Sequence, residues 1–495
     1  MIIFSSKEIN IERLPIEPDM YEFRVDLYEN FPHLMNTIKN SRDKGKEAVE
    51  ASLPDFKLFK RKTIFTLRDK GEGGRYDGSL AEKLVFYEYI LSKTGFYIDI
   101  EYRYFKEFAC VIKNQEYIKR VILSIHNFDE FKSSLFIVKN LNMDYSPFFY
   151  KFVFKIDTLK ELLMFSNLLK NSKVDFCLLS VGKTSFISRI LYQHLGSKAV
   201  YIGKKGDETA PNQLNELDAS LYNLQNINQN TIVGGIVGGK QILLSKGLKF
   251  YNEYFQEKQQ NFVYLPFVVN DVNDFVSFVH TAGFRFYGFS ITMPFKKELP
   301  MLINKKEGIA NLWMVNTNEV FLTDEKAFLE SFLKLEISSN TKIILLGTGA
   351  MAQTVIKLLP QNEIFVLGRD PKKVDHIVNN HFHTKSYAFF DATNVEEKVC
   401  LINTTPLGMN AESVFELLKP DDGLKSSKDF KAKINKDFFD TSESIFFDCV
   451  IDLPYSEQKT KLSEFCKINN IPCIDGHEFW HVQANEQLNI FLSFL

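Results

Sequence analysis

The chain has 495 residues, and its 60 Lys+Arg against 62 Asp+Glu leave a net charge of −2. No overall field draws it to nucleic acid or to an anionic membrane, and no stretch reaches the ~18 uninterrupted apolar residues of a spanning helix. A small molecule is therefore the predicted partner of a soluble, cytoplasmic protein. The opening MIIFSSKEINIERLPIEPDM fits this, because its brief apolar start is not preceded by a basic region or sustained into a leader. At roughly 150 residues per domain, the length predicts about three domains. The six cysteines (Cys110, Cys177, Cys400, Cys449, Cys466 and Cys473) are scattered without a CxxC pair and are predicted to be reduced packing residues.

Short β-rich runs recur at 20–26, 63–68, 97–102, 120–126, 150–156, 174–181 and 198–203, with helical patterns between several of them, such as 157–172. Strand and helix alternating through the first part of the chain predict an α/β fold with a parallel sheet, closed as a (β/α)8 barrel. Glu22, Arg24, Arg68, Glu101, His126 and Lys155 fall within or just after these runs, mostly toward their C-terminal ends. That is the face on which such barrels build their active sites. A lysine within the apolar run KFVFKID is predicted to be buried, where a neutral amine suits imine chemistry, and His126 supplies a group that moves protons near neutral pH. Taken singly, each residue has a structural reading: a strand-end lysine reaching solvent, a hydrogen-bonded core histidine.

A polar segment running into glycines at 223–239 places a boundary near residue 229, after which a second α/β region runs to about 330. At 341–359, TKIILLGTGAMAQTVIKLL sets Gly347, Gly349 and Ala352 between an apolar strand and a helical pattern, the context of a dinucleotide-binding turn. The next strand ends in Arg369, near Lys372 and Lys373. Those cations suit a 2′-phosphate, hence NADP, while Asp370 keeps NAD open. HEFWH at 477–481 matches the HExxH zinc pattern, but no further ligand motif follows it, and a metal site is not predicted.

Six ordered motifs carry a family resemblance: EFRVD (22–26), TLRDKGEGG (66–74), ILSIHNFDE (122–130), FKI (154–156), LSVGKTSFISRIL (179–191) and TAPNQL (209–214). Together they resemble the type I 3-dehydroquinate dehydratases. The resemblance implies that Lys155 forms an imine with the ketone of 3-dehydroquinate, that His126 removes the adjacent proton, and that Glu72 orients His126. It assigns Glu22, Arg24 and Arg68 to the ring hydroxyls, Arg189 to the carboxylate, and Thr209 with Gln213 to a lid.

The remainder resembles shikimate dehydrogenase through SITMPFKK (290–297), VNT (315–317), LTDEKAF (322–328), INTTPLGM (402–409), DLPYSEQKTKL (452–462) and DGHEFWHVQA (475–484), the last absorbing the HExxH match. The resemblance implies a Rossmann domain holding NADP against Gly347, Gly349, Ala352, Arg369 and Thr404. It makes Lys296 and Asp324 the catalytic pair and puts 3-dehydroshikimate against Ser245, Asn316, Tyr455 and Gln483. Four departures accompany it. Gly247 stands where the family has a second hydroxyl, Ser290 where it has Asn, Leu322 replaces the Asn of NTD, and the link from Asn316 to Asp324 is too short for the usual intervening hairpin.

The domains predicted are a barrel at 1–228, a substrate-binding domain at 229–330 with 463–495, and a Rossmann domain at 331–462. The function predicted is dehydration of 3-dehydroquinate followed by reduction with NADPH. Two alternatives stay open, a dehydratase with a weakened or altered dehydrogenase and a ligand-sensing regulator, and an intact Lys155, His126 and Glu72 speak against the regulator.

Overall fold

The computed structural model describes residues 1–8, 14–32, 36, 62–111, 115–304, 308–390, 397–406, 415–417, 431–434, 444–454 and 459–494. The chain forms two compact units, Met1–Leu302 and Ile303–Leu495.

In the first unit, eight parallel strands among the described residues stand in the order β7-β6-β5-β4-β3-β2-β1-β8. They are β1 (Ile2–Ser6), β2 (Met20–Arg24), β3 (Thr63–Thr66), β4 (Tyr97–Glu101), β5 (Val121–Asn127), β6 (Phe149–Phe154), β7 (Phe176–Ser180) and β8 (Val200–Gly203). The two ends of the sheet meet, since Lys198 N–H donates to the Phe176 carbonyl at 2.7 Å and Cys177 Sγ to the Ala199 carbonyl at 3.0 Å. The result is the (β/α)8 barrel expected, with a short β9 (Leu214–Asn215) added beside β8. All seven runs read from the sequence are strands. The eighth, β1, was passed over as a brief apolar start, yet it pairs with both β2 and β8.

Alternation along each strand sorts side chains between the barrel axis and the helices. In β6, Phe149 and Val153 join the axial apolar cluster of Ile3, Met20, Ile64 and Ile122. Phe154, of opposite parity, packs on Phe165 of the helix Leu159–Asn171. Above the axial cluster the inward positions turn polar: Ser5, Glu22, Thr66, Asp99, Ser124 and Lys151 are all buried.

The first unit continues with three parallel strands, β10 (Ile232–Gly238), β11 (Phe262–Val268) and β12 (Phe286–Ile291), in the order β11-β10-β12. The helices Lys246–Glu257 and Val272–Thr281 connect them. Asp274, on the second of these, reaches the barrel and accepts from Leu159 N (2.9 Å) and Lys160 N (3.1 Å) at the start of the helix Leu159–Asn171. Thr158 and Glu161 form a capping box on the same turn, so the orphan amides of that helix end are answered.

In the second unit β13 (Leu312–Met314) and β14 (Glu319–Phe321) form an antiparallel hairpin. A parallel sheet follows from β15 (Lys342–Leu346), β16 (Ile364–Leu367), β17 (Thr384–Ser386) and β18 (Val399–Asn403). A small antiparallel sheet of β19 (Phe415–Leu417), β20 (Lys431–Ile434) and β21 (Ser444–Phe446) intervenes before β22 (Cys449–Asp452) and β23 (Cys473–Asp475). The order of the parallel strands, β17-β16-β15-β18-β22-β23, is that of a dinucleotide-binding doubly wound sheet. Its crevice falls where the order reverses, between β15 and β18. Ile343, Leu345, Ile402 and Ile451 pack one face of this sheet against Ala352, Val355 and Phe328.

Replacing Asp274 with Ala should remove a helix cap worth about 1 kcal/mol. Thermal unfolding of the full chain followed by circular dichroism should then show a melting temperature lower by about 2 °C. An unchanged midpoint would show that the carboxylate contributes nothing to this helix end.

Candidate active sites

His126 ends β5 and, with Ile122 and Ser124, points to the barrel axis, where its Nδ1 lies 3.0 Å from Glu72 Oε2. Glu72 comes from the 3-10 turn Lys70–Glu72 that follows β3. Glycine is required beside it. Gly73 has φ 82°, and a Cβ at Gly74 would lie 2.0 Å from the Arg68 carbonyl oxygen, so the EGG sequence lets the turn fold back over Arg68. Burial, with Glu101 nearby and Arg68 opposing, pushes the Glu72 carboxyl up to about 7. Burial and then the cations Arg68 and Lys151 hold His126 well below the ordinary histidine range. The ring is therefore neutral. With Nδ1–H donated to Glu72, Nε2 is left as a free base.

Arg68 is enclosed. Its Nη2 donates to Asp99 Oδ1 at 2.6 Å and its Nη1 to Ser124 Oγ at 2.7 Å, with Glu101 Oε1 at 3.4 Å. Glu22 accepts from Ser5 Oγ, from Thr66 Oγ1 at 2.8 Å and from Lys151 Nζ at 3.3 Å. Lys151 also donates to Asp99 at 3.0 Å and stands 3.9 Å from the centre of the Tyr201 ring. The lid residues are tied into the same network: Ser5 Oγ lies 2.6 Å from Thr209 Oγ1, Thr209 N donates to Gln213 Oε1 at 2.9 Å, and Arg24 Nη1 donates to the Thr209 carbonyl at 2.9 Å. Arg24 itself is held by Asp26 through Nε and Nη2.

Lys155 is placed differently from the sequence expectation. It lies one residue past β6, exposed, with its N–H donating to the Asn127 carbonyl at 3.2 Å. The lysine that β6 does bury is Lys151, four positions earlier on the inward face. Burial in the strand thus belongs to an ion-paired lysine, while the amine assigned to imine chemistry stands at the barrel mouth beside the end of β5. Arg189, on the helix Ser185–Ile190, is 2% exposed. It donates only to Ser180 and Ser185, among the described residues no carboxylate pairs with it, and its Nε has no partner. Burial pulls this guanidinium down to about 10. A buried, unpaired cation of this kind is ready for an anionic ligand.

The second group of predicted residues spans both units, and each is described in its own. In the first unit, Ser245 caps the helix Lys246–Glu257 by accepting from Gly247 N at 3.3 Å. Gly247 and Ser290 flank one pair of tyrosines. A Cβ at Gly247 would lie 3.3 Å from Tyr251 Cε2, the Tyr251 and Tyr264 rings are 4.4 Å apart, and Tyr264 OH lies 2.6 Å from Ser290 Oγ. Lys296 lies in the turn after β12.

In the second unit Asp324 is buried and accepts from Asn311 Nδ2 (2.8 Å) and from Gln483 Nε2. Leu322 offers no cap to the helix Thr323–Lys334, and Asn311 acts in its place, accepting from Thr323 N at 2.8 Å. The sequence held the link between Asn316 and Asp324 too short for a hairpin. The hairpin is present but begins earlier, with the exposed Asn316 in its turn. Tyr455 lies outside the described residues. HEFWH lies in the helix Gly476–Phe494, and the described residues contain no group of three or more His, Cys, Asp or Glu placed to hold a metal.

At the β15–β18 crevice, Gly347 has φ 110°, and a Cβ there would lie 2.5 Å from Thr404 Oγ1, whose own hydroxyl is held by the Leu346 carbonyl at 2.7 Å. Gly349 caps the helix Ala350–Leu358, within which Ala352 is fully buried. Arg369 is exposed just past β16. This bare backbone at a helix N-terminus is the cradle a pyrophosphate needs. Sequence reasoning passed over Asp99, Lys151 and Asn311. The first two carried a signal, a charged residue on the inward face of an otherwise apolar strand.

Residues 5–228 match the model of the type I 3-dehydroquinase family, and residues 237–317 match that of the shikimate dehydrogenase substrate binding domain. Over 514 aligned positions, covering 96% of this chain and 77% of the relative, the chain is 23% identical to a chloroplastic bifunctional 3-dehydroquinate dehydratase/shikimate dehydrogenase of Arabidopsis thaliana. It is 27% identical over 214 residues, covering 40% of this chain and 69% of the relative, to a shikimate dehydrogenase (NADP(+)) of Dictyoglomus turgidum. The solved dehydroquinate dehydratase and shikimate dehydrogenase from S. pombe AroM aligns with 99% of this chain and 95% of its own at 16% identity and a TM-score of 0.38.

The ring of His126 should stay neutral at pH values where ordinary exposed histidines have protonated. Nitrogen-15 NMR of histidine-labelled protein should report the Nδ1–H tautomer for it. A cationic His126 ring at pH 6 would refute the arrangement.

Proposed function

We propose how the residues divide the work in a chain that joins a type I 3-dehydroquinase to a shikimate dehydrogenase, a bifunctional enzyme of the shikimate pathway that dehydrates 3-dehydroquinate and reduces 3-dehydroshikimate. The observation that carries the first half is His126 Nδ1 held 3.0 Å from Glu72 Oε2, at the end of the strand next to Lys155. Lys155 attacks the substrate ketone and loses water to give an imine. The iminium acidifies the neighbouring C–H, and Nε2 of His126 takes that proton. The hydroxyl on the next carbon then leaves, with the proton returned from His126, and water hydrolyses the imine to release the enone and regenerate Lys155. Arg189 is the partner of the substrate carboxylate, Glu22, Arg24 and Arg68 of its hydroxyls, and Thr209 and Gln213 close over it.

In the second half NADP, when bound, supplies the hydride. Gly347, Gly349 and Ala352 let it approach the helix N-terminus, Thr404 borders it, and Arg369 with Lys372 or Lys373 suits its 2′-phosphate. Lys296 gives the proton that converts the carbonyl oxygen to a hydroxyl, Asp324 is the second residue of the catalytic pair, and Ser245, Asn316, Tyr455 and Gln483 hold the substrate. We assign residues 1–228 to the dehydratase, 229–330 with 463–495 to the dehydrogenase substrate domain, and 331–462 to the nucleotide domain. A second reading, an altered substrate for the dehydrogenase, draws on the tyrosine pair that fills the space between Gly247 and Ser290.

Borohydride added with 3-dehydroquinate should leave a covalent adduct on Lys155, located by peptide mass spectrometry. Lys155→Ala should lose both adduct and turnover, and an adduct on Lys151 would overturn the assignment. NADPH oxidation with 3-dehydroshikimate should proceed in the unmodified chain and drop by at least 10²-fold in Lys296→Ala. Nucleotide binding without oxidation would select the altered-substrate reading.

A further inference from the structure

We propose that Arg103 is a positioning residue for the dehydratase, its guanidinium holding the outer oxygen of Glu72 so that the inner oxygen meets His126 as a carboxylate at neutral pH. The proposal rests on the dehydratase reading above and adds to it a group that touches neither substrate nor base.

Arg103 belongs to the 3-10 turn Tyr102–Tyr104 that follows β4. Three contacts fix its plane: Nη2 donates to Asp69 Oδ2 at 2.8 Å, the guanidinium lies 4.7 Å from the centre of the Tyr104 ring, and Tyr104 OH donates to the same Asp69 oxygen at 2.7 Å. From there Nε lies 3.5 Å from Glu72 Oε1. The guanidinium lies over Gly71, whose Cβ position is 3.6 and 3.7 Å from the Arg103 nitrogens, ordinary van der Waals contact. The Glu72 carboxylate is thus bracketed, with one oxygen toward Arg103 and the other toward His126 Nδ1 at 3.0 Å and Arg68 Nη1 at 3.9 Å.

Of the charged groups that face Glu72, Arg68 and Arg103 favour its ionised form, while Glu101 and Asp99 oppose it. Arg68 is committed to Asp99, Ser124 and Glu101 inside the barrel. Arg103 has a 45% exposed side chain, so removing it leaves the buried cluster whole. Its influence is screened by solvent and therefore modest. In a carboxyl that titrates close to neutrality, however, a modest shift changes the working fraction of the enzyme.

The test is the pH dependence of dehydratase kcat in the full chain, for the unmodified protein, Arg103→Met and Arg103→Lys. The unmodified enzyme should lose activity as pH falls through about 7, where Glu72 takes up a proton. Arg103→Met should move that limb upward by about half a pH unit, roughly a threefold loss at pH 6. Its kcat at pH 9 and its KM should stay within twofold, and Arg103→Lys should restore much of the shift. Raising NaCl to 1 M should move the unmodified limb toward that of Arg103→Met. A residue that only braces the turn would lower activity at every pH and leave the limb in place. Superposed limbs for the unmodified enzyme and Arg103→Met overturn the proposal. Absence of any dehydratase turnover in the unmodified chain overturns the reading on which it rests.

Discussion

Arg68 and the acids around it set the geometry of the barrel site. A guanidinium enclosed in protein must be paired on several sides or it destabilises the fold by several kcal/mol. Arg68 answers this through Asp99, Glu101 and Ser124. Burial alone would lower it, but the two carboxylates hold it above its ordinary value. Each partner is then claimed by something else. Asp99 is shared with Lys151, which also holds Glu22, and Glu101 is shared with the buried Lys83. Glu22 passes the constraint through Ser5 to Thr209 and Gln213. One connected network therefore positions Arg68, Glu22, Thr209 and Gln213 together. Removing a member withdraws a hydrogen-bond partner from groups that stay buried, a larger loss than the bond itself.

That network also sets the surroundings of the His126–Glu72 pair. Burial, then the cations Arg68 and Lys151, hold His126 below the ordinary histidine range, and burial, with Arg68 opposing and Glu101 adding to it, raises Glu72 to about 7. The pair is tuned by what surrounds it, and the glycines of the EGG turn only make room. Gly347 plays the corresponding part in the second unit, where a backbone without a side chain lies against Thr404. Both sites use strand ends for position and glycine for approach.

The barrel was legible because alternating strands and helices with polar residues at strand ends admit few other folds, and seven strands stood where apolar runs stood. β1 was not legible, since five residues at the start of a chain carry no flanking pattern to mark them as a strand. His126 and Glu72 sit together as expected. The reason given for Lys155, burial within a strand, belonged to Lys151 instead: period-2 alternation puts both on one face, and only depth along the barrel distinguishes a paired lysine from an exposed one. Asn311 was invisible for another reason. Its role arises from a contact with a helix end twelve residues later, and no local pattern announces it.

The departures in the dehydrogenase half are read better as groups than singly. Leu322 removes a capping amide from the helix that carries Asp324, a loss of about 1 kcal/mol if nothing replaced it. Asn311 replaces it, and the same amide also donates to Asp324. The carboxylate therefore remains anchored, and Gln487 in turn donates to the Asn311 carbonyl at 3.2 Å. Gly247 and Ser290 meet through Tyr251 and Tyr264, the first bordering the Tyr251 ring and the second bonded to the Tyr264 hydroxyl. Asn311 and Gln483 thus hold Asp324 in the second unit, while in the first unit one tyrosine pair links Gly247 with Ser290.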